Sequence, residues 1–279
     1  MCRKYPVVLS VMALLTTVTI NIMPEADIQE LFAQTLRGDY QGDAPWDAVR
    51  KLRQLGTREV FDVATRWCSS HDPLMRARGA DVLAQLGKTI EHPMNSFPDE
   101  SYSLVTNLLM HETDVRPLNS AIAALGHLDD RRAVPVIARF RSHSNAETRF
   151  AVACALGSFA NEPLSVEILL TLMTDTDDEV RDWATFGLGV LGSSDSAEIR
   201  GALAQRLDDL NVDVREEAMV GLAKRRDRRV LITLLRALEQ FTMTDRVIEA
   251  AYLMLGMDKE REDWNPAKYI EVLRQQFAV

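Results

Sequence analysis

Seven leucines, Leu52, Leu83, Leu125, Leu156, Leu188, Leu222 and Leu253, close seven similar stretches, and the gaps between them are 31, 42, 31, 32, 34 and 31 residues. The stretches read DAVRKLRQLG, RARGADVLAQLG, LNSAIAALGHL, RFAVACALGSF, RDWATFGLGVLG, REEAMVGLAKR and RVIEAAYLMLG. A unit of this length cannot bury an apolar face alone, so it has to stack on its neighbours, and a chain built this way folds as an array. The one long gap spans KTIEHPMNSFPDESYS, whose Pro93, Pro98, Asn and Ser content predicts a loop inserted into an otherwise regular series.

Each unit reads as two helices. Seven residues before the anchor stands Arg76, Arg149, Arg181, Arg215 or Arg246, preceded by acidic or polar residues that suit the positive end of a helix. After the anchor, Asp130 and Asp227 are placed to cap the next helix, with Val134 and Ile137, or Val230 and Leu234, on its apolar side. No stretch sustains the alternation of a strand. The arginines form a structural column, their stems packing between helices and their guanidinium groups bonding carboxylates of the preceding turn such as Asp177, Asp178 or Asp213. The expected fold is all-α, a right-handed α-solenoid of about seven helix pairs. Asn265 and Pro266 open a last helix with Tyr269, Ile270, Leu273 and Phe277 in a stripe.

The stretches DDEVRDWATFGLGVLG, NAETRFAVACALG and NVDVREEAMVGLAKRRDRRV resemble HEAT repeats of the short bacterial, phycobilisome-lyase-like type. The resemblance implies a helical solenoid, with the second helix of each pair on the concave surface. It implies no single activity, because such repeats serve scaffolds, adaptors and a few enzymes. The expected layout is an apolar segment over residues 1–22, a capping helix over 23–42, HEAT-like repeats over 43–260 and a second capping helix over 261–279. The function this points to is a non-enzymatic scaffold or adaptor that binds a protein or peptide. The alternative that the resemblance carries is a chromophore lyase or a subunit of a modifying enzyme.

Charge and composition narrow the chemistry. A net charge of -9 and an isoelectric point near 5.2 disfavour nucleic acid, whose backbone is bound by Lys and Arg that release counterions. The dense basic run Lys224 to Arg229, KRRDRR, falls in a short turn between helices and reads as a solvated turn or an acidic-protein contact. Some HEAT-like enzymes hold two irons with several His-Glu pairs; His111-Glu112 is one such pair and cannot assemble that site. His71, His92, His127 and His143 lack metal-ligand spacing, Cys2, Cys68 and Cys154 are scattered, and no phosphate loop or nucleophile elbow occurs. Neither metal nor cofactor is expected.

The N-terminal MCRKYPVVLSVMALLTTVTINIM has the charged start and apolar run of a secretory signal, without a clear cleavage site, and is short for a membrane span. A start at Met23 is the third reading. Localisation is therefore expected to be cytoplasmic, or secreted or membrane-anchored if residues 1–22 are a genuine signal.

Trp183 and Phe186 are two large rings among small residues. They lie five and two positions before Leu188, pointing away from the anchor on a helix of 100 degrees per residue. The same positions elsewhere hold Arg78 and Asp81, Ser120 and Ala123, Ala151 and Cys154, Glu217 and Val220, and Ile248 and Ala251. Trp183, Phe186, Phe150, Cys154 and Val220 are the candidate partner-binding residues on this pattern. The pattern equally allows a neighbouring ridge, the insertion or the N-terminal segment to cover the rings.

Overall fold

The computed structural model describes residues 25–240 and 244–278, and the expectation for residues 1–22 lies outside them. Among the described residues fifteen α-helices and no strand are present. They form seven successive pairs: α1 (Glu25–Thr35) with α2 (Asp43–Leu55), α3 (Arg58–Cys68) with α4 (Pro73–Ala84), α5 (Pro98–His111) with α6 (Val115–Leu128), α7 (Val134–Ile137) with α8 (Ala146–Gly157), α9 (Pro163–Leu172) with α10 (Asp178–Phe186), α11 (Ala197–Arg206) with α12 (Val212–Lys224), and α13 (Leu231–Glu239) with α14 (Asp245–Met254). A last helix, α15 (Pro266–Phe277), packs on α13 and α14. The even-numbered helices from α2 to α14 stack on one another in order, each packed on the next, so the molecule is an α-solenoid with two layers.

Local chemistry starts these helices. Asp72, Asn145, Asp177, Asn211 and Thr244 each accept a backbone N–H of the first turn, as an N-cap should. Together with Asp114, these caps recur at steps of 42, 31, 32, 34 and 33 residues. Asp130 and Asp227 cap short 3-10 turns that run into α7 and α13. Eleven positions after the caps of α4, α6, α8, α10 and α12 lie Leu83, Leu125, Leu156, Leu188 and Leu222, none more than 1% exposed. Leu52 is equally buried on α2.

Leu253 departs from the expected series. Thr244 starts α14, so Arg246 stands two residues past the cap rather than four, and the core positions become Val247, Ala250, Ala251 and Met254, leaving Leu253 half-buried.

Small residues let the even helices approach closely. A Cβ on Gly126 would sit 2.9 Å from Ala155 Cα, and one on Gly221 only 2.7 Å from Gly189 Cα and about as near Leu203. Gly189 lies in a π-helical turn, Gly187–Leu191, that continues α10. That turn releases carbonyls from the regular ladder, and the buried Arg225 collects them: its guanidinium donates to the oxygens of Leu188 (2.8 Å), Gly189 (3.1 Å), Gly221 (2.8 Å) and Ser194 (2.8 Å).

Lys224, Arg228 and Arg229, which stay exposed, also bond within the chain. Lys224 donates to Val190 and Gly192, Arg229 pairs with Asp227, and Arg228 donates to the Phe277 carbonyl. The expectation of a solvated turn is corrected in part: Arg225 is buried, while the exposed Lys224 and Arg228 also fasten α12 to the end of α10 and α13 to α15.

The arginine column is a ladder of repeat-to-repeat staples. The Arg149 Nε and Nη2 donate to the two oxygens of Asp175 at 2.7 and 2.8 Å, and Nη1 to the carbonyls of His143 and Ser144. Arg181 does the same with Asp209 and with Asp175 and Thr176, and Arg76 with Glu112 and with Ser70 and His71. Arg215 holds the carbonyls of Asp209 and Leu210. The carboxylates differ from those expected: they come from the next repeat, two residues before its N-cap, where each also accepts the cap residue's N–H. The preceding turn supplies carbonyls instead.

Arg246 is outside this ladder, because its helix starts late relative to it. It pairs with Glu217 at 3.2 Å and Glu249 at 2.7 Å. The ladder skips α6, where Leu118 stands four residues after the cap, and His143 takes the carboxylate's place before α8, its Nδ1 accepting the Asn145 N–H.

Candidate functional site

The N-caps align four positions on the outward face of the even layer: two, five, six and nine residues after each cap. On α8 these are Glu147, Phe150, Ala151 and Cys154; on α10, Glu179, Asp182, Trp183 and Phe186; on α12, Asp213, Glu216, Glu217 and Val220, of which Ala151, Glu216, Glu217 and Val220 are buried. The three rings meet at this face. Phe150 and Trp183 are edge to face at 6.1 Å, and Trp183 and Phe186 at 5.2 Å, the arrangement favoured by ring quadrupoles. All three are half-buried, and Phe150 and Trp183 pack at one side against the core. Cys154 is half-buried next to them.

At the C-terminal end of the row the Arg246 guanidinium lies 5.3 Å from the Phe186 ring centre. An arginine is thus held by a ring and two carboxylates. Val220, expected beside the rings, is 1% exposed and belongs to the core, because α14 packs over that part of α12.

The N-terminal end of the face is closed by the chain itself. Arg78 and Asp81, predicted to point outward, are buried under the segment that joins α1 to α2. Arg78 donates to the carbonyls of Thr35 and Tyr40 at 3.0 and 2.7 Å, and its guanidinium stacks 3.7 Å from the Tyr40 ring centre. The Tyr40 hydroxyl donates to Asp81 at 2.5 Å and lies 2.9 Å from Ser120, while Arg116 covers the ring at 4.5 Å. Burial and the Asp81 charge hold this hydroxyl far above its ordinary range. A cavity of about 460 Å³ opens alongside, lined by Thr35, Leu36, Tyr40, Pro73, Leu74 and Arg116. Sequence reasoning missed Tyr40, and no periodic signal could have found it, since it lies between helices.

Other candidates resolve into structure. Glu112 of the His111-Glu112 pair is the carboxylate that receives Arg76, and it accepts the N–H groups of Thr113 and Asp114. Cys68 is buried, its thiol pushed up to about 12 by burial and by Asp81, which makes it a poor nucleophile. Among the described residues no three His, Cys, Asp or Glu side chains converge as a metal site, and no helix is long and apolar enough to cross a membrane.

Residues 102–189, from α5 through the π turn after α10, match the family model of HEAT repeats. Within those residues the chain is similar to HEAT repeats. Protein YibA of Escherichia coli (strain K12) is 27% identical over 212 residues, 73% of this chain and 72% of that protein. The X-ray structure of the Escherichia coli YibA protein superposes with a TM-score of 0.67 at 22% identity, covering 91% of this chain and 95% of that one. An engineered protein of known crystal structure gives a TM-score of 0.51 at 19% identity, covering 74% of this chain and 97% of its own. These likenesses establish the solenoid fold.

Proposed function

We propose that the protein is a non-enzymatic HEAT-repeat scaffold that binds a protein or peptide along the outward face of its even-numbered helices, the concave face in solenoids of this kind. The observation that carries this reading is the row Phe150, Trp183 and Phe186, half-open and lying between two ends of the face that the chain closes on itself. Rigid aromatic anchors in a surrounding that partly excludes water are where binding energy concentrates. The chromophore-lyase alternative rests on family resemblance, and no side-chain arrangement among the described residues favours it.

Trp183→Ala tests the reading. Its ring contacts are partial, so truncation should cost about 1 to 2 kcal/mol of stability and leave the fold intact. Proteins captured from native lysate by the wild type should be depleted on the variant. Acrylamide should quench the fluorescence component that the substitution removes. An inaccessible component together with unchanged capture would refute the groove.

A further inference from the structure

The cover over the N-terminal end of the even face differs in kind from the floor beneath it. None of residues 36–42 is buried, and Gly38 takes a left-handed turn at φ 80° with open space where a Cβ would go. The floor is buried and polar: Arg78, Asp81 and Ser120 are 0%, 7% and 8% exposed. Burying a guanidinium and a carboxylate carries a desolvation cost that apolar residues of similar volume avoid, so such a floor contributes selectivity more than stability.

The segment meets this floor much as a bound peptide meets a receptor. Arg78 holds two backbone carbonyls, of Thr35 at 3.0 Å and Tyr40 at 2.7 Å, contacts that carry no side-chain preference. Preference comes from one ring. The Tyr40 hydroxyl donates to Asp81 at 2.5 Å with the Ser120 hydroxyl 2.9 Å away, and the guanidinium groups of Arg78 and Arg116 lie 3.7 and 4.5 Å from the ring centre. A phenylalanine would leave the buried Asp81 and Ser120 without that hydroxyl, which a polar site penalises. The cavity of about 460 Å³ beside Tyr40 leaves part of the seat unfilled. The seat spans α4 and α6, and α8 with Phe150 is the next helix in the stack, so the seat and the aromatic row are consecutive stretches of one face.

Resting on the reading of this face as a binding groove, we propose that the seat formed by Arg78, Asp81, Ser120 and Arg116 recognises a tyrosine on a segment of a partner protein, and that Tyr40 occupies it in cis as an autoinhibitory stand-in. A tethered segment competes at an effective concentration on the order of millimolar, so only a partner that also gains the aromatic row displaces it.

The test uses the nonapeptide TLRGDYQGD, residues 35–43 of this chain, fluorescein-labelled and blocked at its ends, with the full chain and anisotropy as the readout. Tyr40→Ala removes the chain's own ring from the seat and should bind the peptide at least tenfold more tightly than the wild type. In that background, a peptide with phenylalanine for tyrosine should bind about fivefold more weakly, and adding Ser120→Ala should weaken the original peptide about threefold. Equal affinity for wild type and Tyr40→Ala, no binding to either, or indifference to the hydroxyl would each overturn the proposal. Circular dichroism melts check that the variants fold. A second measurement needs only the wild type. Phenylglyoxal, followed by mass spectrometry, should modify Arg78 at least tenfold faster than Arg225, which is also buried but lies under no such segment. Equal rates would mean that Arg78 is reached only by general unfolding and that Tyr40 is permanent core. Lysate capture separates this proposal from the groove itself: capture that falls with Trp183→Ala but does not rise with Tyr40→Ala keeps the groove and overturns the stand-in. Capture unchanged by Trp183→Ala, with its ring inaccessible to acrylamide, removes both.

Discussion

Leu156 and Cys154 are two positions apart on α8, and only the leucine faces the core. Leu156→Ala should therefore cost about 2 to 5 kcal/mol, the transfer term plus the cavity, while Cys154→Ala should cost under about 1 kcal/mol. Urea denaturation of the two variants checks this, and equal losses would show the helix phase to be wrong. The ladder carboxylates make a second prediction. Hydrogen bonds from Arg149 hold Asp175 below its ordinary range; at Asp209 and Glu112 burial pushes upward, but bonds from Arg181 and Arg76 and from backbone N–H groups outweigh it. A folded pKa below the unfolded one gives stability that is present above about pH 4 and is lost as pH falls through the lowered value. Thermal midpoints should drop steeply below pH 4. Asp175→Asn should be less stable than wild type at pH 7 and lose less on acidification. Asp227, held down to about 2 by its bonds from Arg229 despite burial, should be the last of these groups to protonate.

At the scale of helices, the closest approach is between the π turn after α10 and α12, where Gly189 faces Gly221. Gly221→Ala should drive these elements apart and cost about 1 to 3 kcal/mol, the usual range for overpacking. Gly201 on α11 has open space where its Cβ would go, so Gly201→Ala should stabilise by up to about 1 kcal/mol through helix propensity. Opposite shifts in thermal midpoint are the expected result. Helix existence and the anchor leucines were readable because a recurring N-cap, a small residue and a leucine all signal the same phase. Arg246 misled because an arginine and a leucine seven apart fit the pattern even though Thr244 starts the helix two residues later than the alignment requires. The role of Arg225 was hidden, since its partners are backbone carbonyls of a π turn and leave no residue-type signal. Exposure of the aromatic row was only partly readable: Trp183 and Phe186 follow their helix phase, but the burial of Arg78 and Asp81 is imposed by Tyr40 from elsewhere in the chain.

In the whole molecule each pair leans chiefly on its two neighbours, so stability is close to a sum of units and interfaces. A charge placed in the middle should then divide the array. Leu156→Asp is expected to turn the urea transition monitored by circular dichroism into two steps, whereas Leu273→Asp, on the terminal α15, should shorten the unfolding amplitude and keep one main step. A single sharp transition for both would show that cooperativity spans the full solenoid.

The gap in the ladder gives the array an uneven stiffness. Arg76 ties the second pair to the third, and Arg149 and Arg181 tie the fourth to the fifth and the fifth to the sixth, but Leu118 and His143 leave the joint between the third and fourth without a buried ionic strap, its ion pair being the exposed Arg132–Asp99. Apolar packing between α6 and α8, with Gly126 against Ala155, holds that joint together with the exposed Arg132, which pairs with Asp99 and lies over the Tyr102 ring of α5. A curved spring yields first at its most compliant coil. Here that coil lies between the half of the surface plugged by Tyr40 and the half that carries Phe150 and Trp183, so a load applied to either half would change the curvature at this one articulation and set how wide the channel stands.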